Sequence, residues 1–310
     1  MKTKIFISFV IFQLVIIFVL GFKIYQRQKN ILGAISFNPI NKETIAIKPS
    51  DELKYFYEPK ANSIEEIHKD WLPNVPKYTI NSDALNERFD YDIKKKEGVF
   101  RIITIGDSNT FGLNVSTENN WTEVLEDRLN KEKMCQKVKK YEVINLGVGG
   151  YDTAYEVERY KIRGQKYHPD LVIWYVTDLY RITEKFQELA EKMNINEDAN
   201  EKKGIFFEAW TKAREKIVEQ YGEKGLVNYQ MAKFKEFIKK YYINKPLLFI
   251  SPWKQIEQNI RSSNIYFGDT KVWQDKKNFL PDIHFNDKGH KKFAQDVLDA
   301  LDRNKLLPCD

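Results

Sequence analysis

Two short stretches carry side chains that could do chemistry together. GDSNTFG, from Gly106 to Gly112, directly follows the β-branched run VFRIITIG, so Ser108 stands where a strand turns into a helix. A serine in that position presents its hydroxyl to solvent, with its own backbone N–H aimed at any oxyanion that forms. PDIHFNDKGH, from Pro281 to His290, lies far along the chain, ahead of a last helical pattern. There Asp282 and His284 are two residues apart, so a carboxylate can orient the imidazole that takes the serine proton. Nucleophile, base and orienting acid together mean acyl transfer through a serine. The G-x-S-x-G elbow of α/β-hydrolases is absent, so the serine belongs to a different arrangement.

The elements that must hold these residues read clearly. VFRIITIG (Val99 to Gly106), YEVINLGV (Tyr141 to Val148), DLVIWYVT (Asp170 to Thr177) and PLLFIS (Pro246 to Ser251) are near-continuous apolar runs. Continuous runs, rather than alternating ones, belong to strands covered on both faces of a parallel sheet. Between them lie helical patterns. Trp121, Val124, Leu125 and Leu129 share one face, a charged helical stretch runs from about Asp152 to Gln165, and Phe293, Val297 and Leu301 give the last helix its stripe. This alternation predicts a three-layer α/β/α sandwich with a mainly parallel sheet, whose ligands sit at the carboxyl ends of the strands. Residues 181–242 interrupt the pattern with charged helical stretches. They read as a crossover helix with a solvated extension, or as a cap whose Phe206, Phe207 and Trp210 shape a substrate groove.

Composition bounds the function classes. The chain has 310 residues, 42% of them hydrophobic, enough for one sizeable core. A charged fraction of 30% and a mean hydropathy of −0.55 exclude a polytopic membrane protein. The net charge of +6 is spread along the chain, which argues against a nucleic-acid partner. Two cysteines, Cys135 and Cys309, cannot make a disulfide framework or a tetrahedral thiolate site; they form one bridge or stay separate. His68 and His168 lack neighbours at ligand spacing, so no metal is expected. His290 reads as structural, and Asp107 as the residue that ties down the serine turn. Asn114 and Asn120 each begin a glycosylation sequon.

The stretch from Ile5 to Phe22, IFISFVIFQLVIIFVLGF, is uncharged and 18 residues long. As a helix it would be about 27 Å long, close to a bilayer core. It lacks an A-x-A cleavage pattern, and no alanine occurs before Ala34, so a retained transmembrane anchor is expected in preference to a cleaved signal. The charges on its two flanks nearly balance, while the large domain that follows favours an extracytoplasmic catalytic domain. The expected organisation is a tail at 1–4, an anchor at 5–22, a proline-rich juxtamembrane tether and docked N-terminal extension at 23–97, and a catalytic domain at 98–305 containing the 181–242 insertion.

Taken together, these blocks resemble the GDSL/SGNH hydrolase family, flavodoxin-like esterases, lipases and acyl-group transferases, over roughly Tyr78 to Leu301. Gly106-Asp107-Ser108 is similar to the family's nucleophile block. INLGVGGYDT, Ile144 to Thr153, resembles the block that gives a glycine N–H to the oxyanion hole, which implies Gly150, with Gly149 the nearest alternative. Asp282-Ile283-His284 resembles the acid–base block. The third block departs from the pattern: Thr177 occupies the place of the family's oxyanion asparagine, and a hydroxyl there implies a shorter donor. The resemblance implies Ser108, His284 and Asp282 as a triad, an oxyanion hole of Ser108, Gly150 and Thr177, and no cofactor. The activity it implies is that of a membrane-anchored serine esterase acting on an acyl ester of a small molecule, lipid or glycan. The alternatives are O-acyl transfer to a polysaccharide, and a catalytically weakened domain that binds glycan or protein.

Overall fold

The structure, a computed structural model, describes residues 45–192, 203–242 and 245–309, together with Gln13 and Gly21; for residues 47, 189–192 and 203–211 it describes the backbone alone. Four short strands come first. β1 (Ile45–Ile47) pairs antiparallel with β2 (Tyr57–Pro59), and β3 (Ser63–Glu66) pairs antiparallel with β4 (Lys77–Ile80). The main sheet follows, built from β5 (Val99–Ile105), β6 (Lys140–Asn145), β7 (Leu171–Tyr175), β8 (Leu247–Ile250) and β9 (Ile265–Gly268) in the order β6-β5-β7-β8-β9. Every pairing in it is parallel. The chain enters at β5, steps out to β6 and returns across β5 to β7. The winding reverses there, and the carboxyl-edge crevice at such a reversal is where ligands of doubly wound sheets bind.

The helices are α1 (Ser108–Phe111), α2 (Trp121–Glu132), α3 (Thr153–Arg159), α4 (Thr183–Lys192), α5 (Lys203–Lys240), α6 (Lys254–Asn259) and α7 (Asp287–Arg303). They cover both faces of the sheet. On one face Ile103, Ile105, Val172, Trp174 and Phe249 pack against Tyr160, Phe234 and Phe237. On the other, Ile102, Ile173, Tyr175 and Leu248 meet Leu125 and Leu129 of α2 and Phe293, Val297 and Leu301 of α7. Successive strand residues point to opposite faces, so an apolar run fills both cores at once. Trp174 shows the packing: its ring centroid lies 4.9 Å from that of Phe234 and 4.8 Å from that of Phe237, both edge-on. The fifth strand, IYFG, is half-buried and only four residues long, and its short run did not stand out in the sequence.

The outer strand β6 is closed by side chains. Tyr141 N donates to Asn130 Oδ1 (2.9 Å), Val143 N to Glu126 Oε2 (2.7 Å) and Asn145 N to Glu87 Oε1 (2.5 Å). Asn130 Nδ2 also donates to Tyr141 O (2.9 Å).

From residue 45 onward the proline-rich stretch before β5 is a docked extension. Leu53, Phe56 and Tyr57 are buried against Tyr151 and Tyr155, because the prolines punctuate short strands and the apolar residues between them find cover on the α/β domain. Glu58 is fully buried and accepts from Arg163 Nε and Nη2, both at 2.8 Å, and from Arg159. Burial would raise its carboxyl, but the two guanidiniums outweigh that and bring it down to about 2. Arg163 also reaches Asp83 at 2.8 Å, so the ion pairs bind the extension to the segment after α3.

Residues 181–242 divide at Gly222, whose φ of 64° and ψ of 159° break α5 into two helices. Met231, Phe234 and Phe237 of the second half lie in the main core, so it serves as the crossover helix. Ala213 and Ile217 of the first half pack with Ile182 and Phe186 in a smaller cluster of their own. The side chains of Phe206, Phe207 and Trp210 lie outside the described residues. So does the stretch from Ile5 to Phe22, apart from Gln13 and Gly21; among the described residues no helix is long and apolar enough to cross a membrane.

Cys135 and Cys309 are joined in a disulfide that closes a loop across a separation of 174 residues, tying the segment after α7 to the one after α2. Such a bond stabilises mainly by restricting the unfolded chain. Cys309→Ser, or reduction of the wild type, is expected to lower the unfolding free energy by about 2–4 kcal/mol. Guanidinium unfolding with and without dithiothreitol reads this directly, and an unchanged midpoint would refute it.

Candidate active site

Ser108 opens α1 immediately beyond the carboxyl end of β5. Asp107 shapes the turn as the helix cap: its Oδ1 accepts from Asn109 N at 3.0 Å. The loop after β6 presses against this single turn. A Cβ on Gly147 would lie 2.3 Å from Phe111 N, so only glycine fits there. Asn109 reaches across to the other half of the site, where its Oδ1 accepts from Phe285 N at 3.4 Å. Leu280 N in turn donates to His284 O at 2.8 Å, which closes the loop carrying the acid and base.

Ser108, His284 and Asp282 come together. His284 Nε2 is 2.9 Å from Ser108 Oγ, across 176 residues of chain. His284 Nδ1 is 3.0 Å from Asp282 Oδ2, within ion-pair distance. For Nε2 to accept the serine proton, Nδ1 must carry the ring hydrogen and face the carboxylate. Asp282 Oδ1 also accepts from His284 N at 3.3 Å. Burial works to raise the Asp282 carboxyl, but its bonds to His284 and the charge of Lys69 prevail and hold it below its ordinary value. Between the two sits Ile283 with φ +64°, a left-handed conformation costly for a β-branched residue.

The glycine loop after β6 stands beside the serine. A Cβ built on Gly149 would be 3.9 Å from Ser108 Cβ. Gly150 has φ +82°, which favours glycine at that position, and its carbonyl accepts from Thr183 Oγ1 at 2.8 Å. Tyr57 of the extension donates to Gly149 O at 2.7 Å. The loop is therefore held from both sides. Arg181 lies beneath it, 3.4 Å from Asp178 and with Asp107, Tyr57 and Asp152 near; burial disfavours its charge, and these neighbours outweigh burial.

Thr177 departs from the expected role. Its hydroxyl donates to Asp107 Oδ2 at 2.5 Å, and its carbonyl accepts from Trp253 Nε1 at 2.8 Å. The hydroxyl hydrogen that was expected to face an oxyanion thus serves the nucleophile's cap, because a carboxylate is the stronger acceptor within reach.

Two contributors were not read from the sequence. Asn114 is buried and donates from Nδ2 to Asp282 Oδ2 at 2.7 Å. Its sequon was the pattern noticed, whereas its place just after the nucleophile helix was the signal. Lys69 donates to Asn114 Oδ1 at 2.8 Å and comes from a stretch without recognisable pattern. Asn120, the other sequon residue, is buried and donates to Thr110 O and Phe111 O. Neither asparagine is available for a glycan in the folded chain. His290 is structural, as expected: its Nδ1 accepts from Trp121 N at 3.1 Å. Among the described residues no cluster of metal-ligating side chains occurs.

No protein-family model and no curated protein matches this chain. Solved structures do resemble it. A two-domain esterase active on acetylated mannans is 18% identical, with 68% of this chain and 51% of that chain covered and a TM-score of 0.41. This chain spans about half the length of that protein. An acetylxylan esterase from Geobacillus stearothermophilus is 12% identical over 65% of this chain and 94% of its own, with a TM-score of 0.41. The esterase EstA from Pseudoalteromonas sp. is 12% identical over 66% and 98%, with a TM-score of 0.40. Likenesses at this level carry no argument about chemistry, which rests on the atoms of this chain.

Two outcomes follow from the site. Thr177→Val removes a donor from the buried Asp107 carboxylate, so it is expected to destabilise the fold by about 1–3 kcal/mol. A variant as stable as wild type in guanidinium would overturn that role. His290 is the second. Burial, with the nearby His284 adding, pushes its imidazole from 6.5 down to about 3. The unfolded chain therefore takes up a proton that the folded chain refuses, and this contribution to stability is lost as pH falls from 6.5 towards 3. The stability advantage of wild type over His290→Gln should shrink by roughly 1.4 kcal/mol per pH unit in that window. An advantage that stays constant from pH 7 to 4 would exclude a neutral buried His290.

Proposed function

We propose that this protein is a serine ester hydrolase of the SGNH type, acting on an O-acyl ester through an acyl-enzyme on Ser108. One observation carries the reading: Ser108 Oγ, His284 Nε2 and Asp282 Oδ2 stand in a chain of contacts of 2.9 and 3.0 Å at the carboxyl edge of a doubly wound sheet. Ser108 Oγ attacks the ester carbonyl carbon as its proton passes to His284 Nε2. The bond to the alcohol then breaks, and the imidazolium gives that proton to the leaving oxygen. A water, deprotonated by the same imidazole, splits the acyl-enzyme, and the proton returns to Ser108. Asp282, held ionised, fixes the ring tautomer and stabilises the imidazolium. The N–H of Ser108 and that of Gly150 or its neighbour Gly149 receive the oxyanion. Thr177 acts behind the serine, through Asp107.

The setting we propose is extracytoplasmic, with the stretch from Ile5 to Phe22 as a single membrane anchor. The Cys135–Cys309 bond supports it, since disulfides persist in oxidising compartments and are rare in the cytosol. The substrate class we propose is an acyl ester of a small molecule, lipid or glycan.

Purified full-length protein is expected to label with a fluorophosphonate probe and to hydrolyse short-chain p-nitrophenyl esters, and Ser108→Ala to do neither. Equal labelling of the two proteins would sink the serine mechanism. Full-length protein should also stay with membranes through carbonate extraction; a mature form that begins between Lys23 and Ala34 would reveal a cleaved signal instead.

A further inference from the structure

A chain of polar contacts continues behind the triad. Asp282 Oδ2 faces His284 Nδ1 and also accepts from Asn114 Nδ2 at 2.7 Å. The orientation of the Asn114 amide is forced. Its other end, Oδ1, accepts from Lys69 Nζ at 2.8 Å, and a lysine ammonium can only donate, so Nδ2 must point at the carboxylate. The asparagine backbone is fixed as well. Its N–H donates to the Tyr78 hydroxyl at 2.6 Å, and its φ of +69° is one that asparagine adopts more readily than most residues. Lys69 and Tyr78 both belong to the hairpin segment around β3 and β4, so a piece of chain outside the sandwich holds the asparagine that meets the acid of the triad. Lys69 is half-buried, and its Nζ lies 5.2 Å from the Trp71 ring centre, which keeps the ammonium over that hairpin.

We propose that Asn114 and Lys69 are positioning residues that hold the Asp282 carboxylate against the His284 ring, so that the β3–β4 hairpin completes the catalytic site. This rests on the serine-hydrolase reading and deepens it. Asp282 meets His284 twice, Oδ2 at the ring Nδ1 and Oδ1 at the backbone N–H, but both contacts come from one residue. Asn114 supplies a partner from a separate element, which fixes the plane of the carboxylate. Lys69 adds charge. Its ammonium stabilises ionised Asp282 through the amide, and a cation beside the pair disfavours a further positive charge there. The other titratable groups facing the pair are Tyr78 from the hairpin and His290 from α7, and Glu65 lies close to Tyr78.

The test compares wild type, Asn114→Gly, Lys69→Met, Lys69→Arg and Ser108→Ala as full-length proteins, with p-nitrophenyl acetate as substrate. Glycine keeps the positive φ while removing the amide, which separates positioning from backbone strain. Asn114→Gly is expected to lower kcat by roughly tenfold or more with KM within about twofold, the signature of a contact that acts in the transition state. Lys69→Met should lower kcat by about threefold and move the acid limb of kcat/KM to higher pH by roughly half a unit, because His284 loses an opposing charge. Lys69→Arg should restore both. Fluorophosphonate titration counts active sites, so a variant that merely folds poorly would lose sites without moving the limb. The proposal falls if Asn114→Gly and Lys69→Met keep kcat within twofold and the limb unmoved while Ser108→Ala is dead. If Asn114→Gly fails to fold, the Lys69 pair decides, because a limb that stays put in Lys69→Met also overturns the proposal. A Ser108→Ala protein with wild-type turnover would instead bring down the underlying reading.

Discussion

A hydroxyl and an imidazole 176 residues apart must meet within hydrogen-bond distance, and most of this architecture serves that meeting. The parallel sheet makes it possible by sending every strand's carboxyl end to one edge, so loops distant in sequence share a crevice. Ser108 leaves β5 there in a single helical turn, and the loop bearing His284 arrives there just before α7. Asn109, one residue past the nucleophile, holds the backbone of Phe285, one residue past the base. The separation is thus fixed by backbone contacts as well as by the reacting groups. Gly147 belongs to the same constraint, since any side chain there would drive the loop after β6 away from the serine turn.

The sandwich and the blocks holding Ser108, Asp282 and His284, which the fold brings together, were legible in the sequence because both rest on local patterns. Continuous apolar runs mark strands covered on two faces, and Ser108, Asp282 and His284 sit in short blocks at strand and helix ends. The cap role of Asp107 and the structural role of His290 were legible for the same reason. What stayed hidden depends on partners far apart in the chain. Glu58 is an unremarked acid until Arg159, 101 residues on, is folded against it. Lys69 has meaning only beside Asn114. A docked extension was expected before β5, but the burial of Phe56 and Tyr57 depends on Tyr151 and Tyr155, which no local reading could pair with them. Thr177 shows a subtler limit. Its position in the third block was found, but the direction of its hydroxyl is set by Asp107, and alignment carries no information about where a hydrogen points.

The N-terminal extension shows two kinds of attachment. Its aromatic residues dock by apolar burial, while Glu58 and Asp83 dock through guanidinium pairs shielded from solvent. Pairs of this kind contribute little net stability over apolar contact, because desolvation offsets much of the attraction. They do penalise a misplaced dock, since a displaced extension would leave buried charges alone. Such a penalty suits a segment whose Tyr57 holds the glycine loop and whose Lys69 holds the amide of Asn114: both contacts need a defined position more than they need strength.

The closed side of β6 has a consequence for how copies of the chain can associate. An outer strand ordinarily presents a row of unpaired amides that can template another strand. Here the outward N–H groups of Tyr141, Val143 and Asn145 already have acceptors in Asn130, Glu126 and Glu87. The Tyr91 hydroxyl donates to Val143 O at 3.4 Å, so the intervening carbonyl is also covered. A second molecule could extend the sheet on that side only by displacing the buried carboxyl groups of Glu87 and Glu126 and the half-buried Asn130 amide. Continuous sheets running from one copy to the next are thereby barred at this edge.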